Sequence, residues 1–291
     1  MLLYKHPSMI RHIVCSGGGV TGFSFYGILK ECYLRKIWKF ENIETIYGTS
    51  VGSIFAVILA LNYDWKTMDD YLIKRPWQNV FKFNLYSILD SLQQRGIFGI
   101  KTIEDTFSSL FLGKDIPINV TMREFYDITN IEIHIFTTDV MNFRLVDISY
   151  KTHPDWRVID AVYSSCSIPI IFSPLIKDNK CYCDGGLLLN YPLDKCIENG
   201  ANPSEIIGLR SDMTTNNVDV MKKFREENKE WHEDDFKLHF GEDQEGYKIT
   251  WTKKKDKVMG LGKYQQEKTN AGVLIALMAA DVDNKVYLVG Y

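Results

Sequence analysis

The chain has 291 residues, of which 45% are hydrophobic, and a formal net charge of −3 at pH 7. This is enough apolar material for the core of one large α/β domain or of two small ones. The slight acidic balance argues against nucleic acid as a partner, because proteins that bind it usually carry a clear basic excess.

The first predicted unit is a strand, a glycine-rich loop and a helix. Residues 11–15 predict a short apolar strand, and apolar residues recur at helical spacing across residues 25–37. Between them, the spacing of Gly17, Gly19 and Gly22 is typical of dinucleotide sites, where glycines admit a pyrophosphate to the amides of a helix N-terminus. The same amides can stabilise an oxyanion, so this segment alone supports two hypotheses.

A second glycine motif follows, with Ser50 between Gly48 and Gly52. This spacing, between a short strand and an apolar helix, is typical of a nucleophile elbow, a sharp turn that presents the serine hydroxyl at the helix N-terminus. Residues 54–61 are apolar on every helical face, which predicts a central buried helix. Because the serine arrives within ~30 residues of the glycine loop, about the size of one strand–helix–strand unit, the oxyanion hypothesis explains more than the dinucleotide hypothesis.

The middle of the chain predicts further helices and strands. Aromatic residues after Leu61 indicate packing or an apolar cover over the site, and His134 is expected to be a structural residue of a sheet. These aromatic residues are Trp65, Trp77, Phe81, Phe83, Tyr86 and Phe98. The predicted elements are a helix over 122–127, strands over 131–136 and 143–148, and a helix over 156–167 ended by Pro169.

A third glycine-marked turn begins at Asp184, followed by Gly185 and Gly186, where a short strand ends. Alone, this is an ordinary Asp-Gly turn. A carboxylate at a strand end, in company with the other two motifs, is instead a candidate general base.

The last third changes in composition. A helix is predicted over 191–199 and a strand over 205–209, whereas residues 211–270 hold 13 acidic and 12 basic residues and predict a charged, partly helical excursion. Residues 271–291 are expected to return to the core as a helix and a strand. We therefore expect a single domain with its main part over 11–210, to which the segments 211–270 and 271–291 are additions.

No metal or cofactor is expected. Cys181 and Cys183 have the wrong spacing for a zinc Cys-x-x-Cys pair, so the six cysteines are interpreted as buried thiols in a reducing, intracellular setting. The start of the sequence has no signal-peptide pattern, and the apolar run 271–280 is about half of the ~20 residues that a membrane span needs.

The three motifs, in this order, resemble the patatin-like phospholipases. The resemblance lies in the Gly-Gly-Gly-Val-Thr-Gly of 17–22, the Gly-Thr-Ser-Val-Gly of 48–52, the Asp-Gly-Gly of 184–186, and residues 155–169 and 190–192. It implies a three-layer α/β/α sandwich with a mixed, mostly parallel sheet, and hydrolysis of phospholipids or related lipid esters without a metal. Transient contact at an anionic membrane surface is a separate hypothesis from the lysines at 253–255 and 257, for which a solvated loop is the alternative.

The resemblance also implies a catalytic dyad in place of a triad. Ser50 would be the nucleophile, Asp184 its base, and the amides of Gly17, Gly18, Gly19 and Val20 the oxyanion hole. One departure is Thr21, which stands where the family commonly has a basic residue. A conventional Ser-Asp-His esterase remains an alternative through His232 or His239, as does a catalytically silent scaffold.

Overall fold

The computed structural model describes residues 9–81 and 96–211, Thr21 and Ser211 by their backbone alone, and beyond them the backbone of five strands between Phe236 and Gly290. It contains two compact units, one of residues Met9–Ala201 and one that holds the described residues from Asn202 onward.

The first unit is built on a mixed sheet flanked by helices. Its strand order is β1-β2-β4-β8-β7, and β5 also pairs with β4. β1, β2 and β4 are parallel to one another, whereas β5 and β8 run antiparallel to β4. The strands are β1 His12–Cys15, β2 Thr45–Thr49, β3 Gly96–Phe98, β4 Glu132–Asp139, β5 Arg144–Ile148, β6 Ile170–Phe172, β7 Leu175–Lys177 and β8 Lys180–Asp184.

Seven helices accompany these strands in the fully described ranges. They are α1 Gly22–Leu34, α2 Val51–Ala60, α3 Trp65–Leu72, α4 Ile100–Leu112, α5 Met122–Thr129, α6 Val158–Cys166 and α7 Leu193–Glu198. Most of the predicted elements are present with slightly different ends, and the predicted three-layer α/β/α fold with a mixed sheet is confirmed.

The centre of the core is α2 against the sheet. Its residues from Phe55 to Ala60 are all buried, as expected of a helix that is apolar on every face. α6 is buried along its whole length and packs on β4 and β8. These two helices and the sheet therefore form a rigid base from which the turns at the strand ends project.

Apart from a short 3₁₀ helix over Pro203–Glu205, the described elements of the second unit are strands. β9 Ile206–Ser211 runs parallel to β13 Leu274–Met278, which pairs antiparallel with β14 Val286–Gly290. β10 Phe236–Asp243, β11 Gly246–Lys253 and β12 Gly260–Gly262 form a separate antiparallel sheet.

One expectation about this part of the chain was wrong. Residues 274–278 form a strand in place of the predicted helix, because a short apolar run of this length does not distinguish a helix from a buried strand. Within 211–270 the described elements are strands, and residues 212–235 lie outside the described residues, so the partly helical character of this segment stays a prediction. The predicted domain bounds remain a prediction, and Phe83, Tyr86 and His232 lie outside the described residues.

Candidate active site

The site forms where two strands meet end to end along β4. β5 pairs with residues 135–139 of β4, β2 with 132–136 and β8 with 137–139. Since β5 occupies one edge of β4, β2 and β8 share the other edge. They approach from opposite directions, because β2 is parallel and β8 antiparallel to β4. Ser50, directly after β2, and Asp184, at the end of β8, therefore come together.

Ser50 sits on the sharp turn that its flanking glycines predicted. Its φ is 55° and its ψ −125°, at the N-cap of α2. The turn requires both glycines, because a β-carbon at Gly48 would lie 2.3 Å from the carbonyl oxygen of Gly52, and one at Gly52 would lie 2.3 Å from that of Cys15. The Ser50 backbone is thus fixed between β1 and α2.

Asp184 is buried beside Ser50. Its Oδ1 accepts a hydrogen bond of 2.7 Å from the Gly186 amide, whereas its buried Oδ2 has no hydrogen-bond partner among the described residues. Burial raises the pKa of the Asp184 carboxyl, although the nearby Ser50 hydroxyl and the Gly186 amide act to lower it. A buried carboxylate with one free oxygen next to a serine hydroxyl is suited to accept a proton.

The glycine loop lies against Ser50 and is held in place by Asn190. The Gly17 amide donates to the Asn190 carbonyl at 2.9 Å, and the Asn190 side-chain amide donates to the Gly17 carbonyl at 3.5 Å. A β-carbon at Gly17 would lie 3.2 Å from the β-carbon of Ser50. Gly17 therefore anchors the loop, and its amide already donates a hydrogen bond to the Asn190 carbonyl. Gly19 and Val20, which follow, are exposed to solvent.

The remaining motif glycines lie where chain segments approach closely. Gly22 begins α1 beside Val51, which directly follows Ser50, and Gly185 lies against the carbonyl oxygen of Phe136 in β4. Together with Gly17, these contacts bring all three sequence motifs to one place. The sequence predicted which residues would meet but not the distances between them.

Two residues of the site had no assigned role in the sequence. The Ser165 hydroxyl accepts a hydrogen bond of 2.9 Å from the Ser50 amide and donates one of 2.6 Å to the Phe136 carbonyl. It therefore connects the turn at Ser50 to β4. Asn190 ties the glycine loop, as described above. The available signals were the serines at 164, 165 and 167, clustered at the end of a largely apolar helix, and an asparagine directly before Tyr-Pro.

The histidines of the fully described ranges are held away from Ser50 and Asp184. His12 contacts Thr45, His153 contacts Thr152, and buried His134 lies 2.9 Å from a carboxylate oxygen of Asp147. Burial alone would lower the pKa of His134, but its hydrogen bonds with Asp147 and Glu132 outweigh burial and raise the pKa to about 9. The expectation that His134 is a satisfied residue of the sheet is confirmed.

Some of the aromatic residues form a row beside the site. Ring contacts with centroid separations of 5.5–6.2 Å run from Phe23 through Trp77, Phe81 and Phe98 to Phe172. Phe23 is next to Gly22, and Phe172 belongs to the segment that follows α6. The row therefore supplies an apolar wall between the glycine loop and the segment after α6, whereas Trp65 packs against Tyr26, Tyr33, Trp38 and Phe40 in the core.

Ser50 thus lies on a sharp strand-to-helix turn of the nucleophile-elbow type, beside the buried carboxyl group of Asp184. The family model for the patatin-like phospholipases matches residues 13–197. The chain therefore belongs to the patatin-like phospholipase family, a class of hydrolases that act on ester bonds.

Individual relatives are similar but distant. The chain is 27% identical over 194 residues to the probable lipid hydrolase 463L of Invertebrate iridescent virus 6, a match that covers 66% of this chain and 65% of that protein. It is 30% identical over 186 residues to the uncharacterized protein R571 of Acanthamoeba polyphaga mimivirus, covering 64% of this chain and 61% of that one. The chain thus spans less than two thirds of the length of these relatives.

Among solved structures, VipD from Legionella pneumophila matches with a TM-score of 0.47 and 17% identity, covering 75% of this chain and 53% of that one. In the described part of this chain, the helices are too short or too polar to cross a membrane.

Proposed function

We propose that the protein is a lipid acyl hydrolase that cleaves carboxylic ester bonds of phospholipids or related lipids through Ser50 and Asp184. The observation that carries the proposal is the end-to-end meeting of β2 and β8 on β4, which brings a strained serine next to a buried carboxylate with one unpaired oxygen. Family membership and the name of the viral relative, a probable lipid hydrolase, support the same reaction class.

In the first half of the reaction, the Asp184 carboxylate accepts the Ser50 hydroxyl proton as Oγ attacks the ester carbonyl carbon. Negative charge then develops on the carbonyl oxygen. The exposed turn after Gly17 is suited to stabilise it, since amides of Gly18, Gly19 and Val20 precede the N-terminus of α1. The Gly17 amide is already donated to Asn190, so it anchors the loop rather than serving as a donor in this proposal.

The second half of the reaction regenerates the enzyme. The tetrahedral intermediate collapses, the alcohol leaves with the proton held by Asp184, and the acyl group remains esterified to Ser50. Water then attacks this ester while Asp184 accepts its proton. The fatty acid departs, and the proton returns to Ser50 Oγ. No step needs a metal or a histidine.

Replacing either member of the dyad should abolish hydrolysis. We expect Ser50→Ala and Asp184→Asn each to lower kcat on a phospholipid by on the order of 10⁴-fold, and the double variant to be no worse than either, because the two residues act as one unit. Matched controls are Ser108→Ala on α4 and Asp127→Asn on α5, both exposed residues that should retain full turnover. The measurement is fatty acid release from micellar phospholipid by folded protein.

The pH profile gives an independent readout. Since burial raises the pKa of Asp184, the wild-type rate should fall on the acid side with a midpoint above the ordinary value of 3.8. If Asp184→Asn retains turnover while His232→Ala or His239→Ala loses it, the dyad hypothesis is wrong and a Ser-Asp-His triad takes its place. Tight binding of NAD or FAD would instead revive the dinucleotide hypothesis for the glycine loop.

A further inference from the structure

Two turns project beyond the dyad at the same edge of the sheet. Asp184 pairs with Thr137 of β4, and β4 continues to Asp139 before the turn of residues 140–143 leads into β5. β8 runs the other way, so its start and the turn of residues 178–179 lie beyond the dyad as well. The Val140 amide donates to the Cys181 carbonyl at 2.8 Å, which fixes the two turns side by side. At ~3.3 Å per residue, Val140 lies roughly 10 Å past the level of Asp184.

These turns carry large apolar side chains in solvent. Met141 is 69% and Phe143 72% exposed, and Val140 and Ile176 are exposed beside them. Ile176 of β7 pairs with Cys181 of β8, which in turn bonds Val140, so these three residues form one row across the strands with Cys181 in the middle. Phe143 is also held at a positive φ of 45°, a conformation that is costly for an aromatic residue. We call these four residues the apolar tip.

The charges around the apolar tip balance. Arg144 pairs with buried Asp139 at 3.3 Å. Lys177 pairs at 3.2 Å with buried Asp160, which Arg157 also binds, and Arg157 in turn pairs with Glu104. Asp178 in the second turn and Lys180, the first residue of β8, add one charge of each sign. Residues 140–143 themselves are uncharged. A surface of this kind offers apolar insertion without a net electrostatic attraction to an acidic or a basic partner.

We propose that the apolar tip inserts into zwitterionic phospholipid surfaces and so presents the dyad to lipid still in the membrane. Exposed apolar groups this close together mark interaction sites. The lack of net charge at the apolar tip suits a zwitterionic headgroup layer. The tip also lies past the dyad on the same edge of the sheet, so its insertion would bring the dyad close to ester bonds in the lipid surface. The long stems of Arg144 and Lys180 allow their charges to reach the phosphates while the tip is buried. The choice of lipid rests on the proposed function, but binding itself needs no catalysis.

The test uses the full chain with Ser50→Ala, so that vesicles stay intact. Sedimentation with phosphatidylcholine vesicles should show binding that 0.5 M salt leaves nearly unchanged. Adding Met141→Ser and Phe143→Ser should lower the partition coefficient by on the order of tenfold or more, since two large apolar groups no longer leave water. The matched control is Leu112→Ser with Ile128→Ser, two exposed apolar residues on α4 and α5 that should have no effect.

With Ser50 intact, Met141→Ser with Phe143→Ser should slow hydrolysis of vesicle lipid but leave hydrolysis of a soluble short-chain ester unchanged, which also shows that the variant is folded. Equal vesicle binding with and without the two serines would overturn the proposal. So would binding confined to phosphatidylglycerol vesicles and abolished by salt, or self-association lost in the double variant without any vesicle binding. If the Ser50→Ala variant binds vesicles through the apolar tip but the wild-type chain hydrolyses no ester, the proposed function is wrong. The proposal of a docking surface is then still supported.

Discussion

Ser50 is held in a backbone conformation that serine adopts at a cost of about 1–3 kcal/mol. Its φ of 55° persists because the surroundings fix it from several sides. The Ser165 hydroxyl accepts the Ser50 amide, and the Ser53 hydroxyl donates to the Ser50 carbonyl at 2.6 Å. The hydroxyl of Ser50 is therefore positioned before any substrate arrives, which lowers the entropy cost of the proposed attack.

Gly19 tests the proposed oxyanion donors, because its φ of 57° is one that a β-branched residue tolerates poorly. Gly19→Val should redirect the loop amides and lower kcat by on the order of 10²-fold, as expected for a lost oxyanion donor. Nothing packs within 4 Å of a β-carbon built there, so the fold should survive. The measurement is kcat on phospholipid, with thermal unfolding as the check on folding.

The matched control is Gly27→Ala, also a glycine with open space around it but inside α1 at an ordinary φ. It should keep full turnover and raise stability by about 1 kcal/mol, the helix preference of alanine over glycine. If Gly19→Val retains the wild-type rate within twofold, the loop does not serve as the oxyanion hole.

The sequence was most informative where the backbone demands a special residue. Gly48 and Gly52 are required by contacts with backbone atoms, so the serine between them could be singled out without any structure. Ser165 and Asn190 could not be singled out in this way, because serine and asparagine occur in many structural environments. Their partners are also remote in the chain, since Ser165 and Ser50 are 115 positions apart and Asn190 and Gly17 are 173 positions apart.

Among the elements, β4 carries a buried charge cluster as well as the site. His134 stacks on Tyr47 of β2 with ring centroids 4.3 Å apart, between the carboxylates of Asp147 and Glu132. Lys151 binds the other oxygen of Glu132 at 2.7 Å. Protonated His134 therefore compensates buried negative charge and joins β2, β4 and β5.

This cluster predicts a fall in stability at alkaline pH. The pKa of His134 is raised from 6.5 to about 9, so its contribution is complete below pH 6.5 and is lost as pH rises through about 9. The full effect is at most roughly 3 kcal/mol. In urea unfolding across this range, the wild type should lose stability relative to His134→Gln.

The matched control is His153→Gln, since burial lowers the pKa of His153 and its contribution therefore does not decline over the same range. A stability difference between wild type and His134→Gln that stays constant from pH 6 to pH 10 would show that His134 is neutral in the folded protein.

Element type was predictable where the hydrophobic pattern was long and bounded, and not where it was short. α2 follows a glycine turn and is apolar throughout, so its burial was evident. Residues 274–278 are equally apolar, but as a strand that pairs with β9 and β14 they owe their conformation to residues distant in sequence. Periodicity within the run itself could not reveal those partners.

At the scale of the whole molecule, the proposed catalytic and lipid-binding residues lie at one edge of the sheet of the first unit. The strand ends of β2 and β8, the glycine loop and the apolar tip all occur within residues 13–197, the range matched by the family model. The proposed lipid docking and ester cleavage therefore both use residues of the family domain.

The most direct measurement of the central claim is labelling of the folded full-length chain with a fluorophosphonate, followed by peptide mapping, in the presence of a chelator. A fluorophosphonate reacts with a serine only when its hydroxyl is activated, and it needs no knowledge of the substrate. The predicted result is stoichiometric modification of Ser50, strongly reduced in Asp184→Asn and unaffected by chelation. Folded protein that is unlabelled at Ser50, or labelled at another serine, would contradict the account.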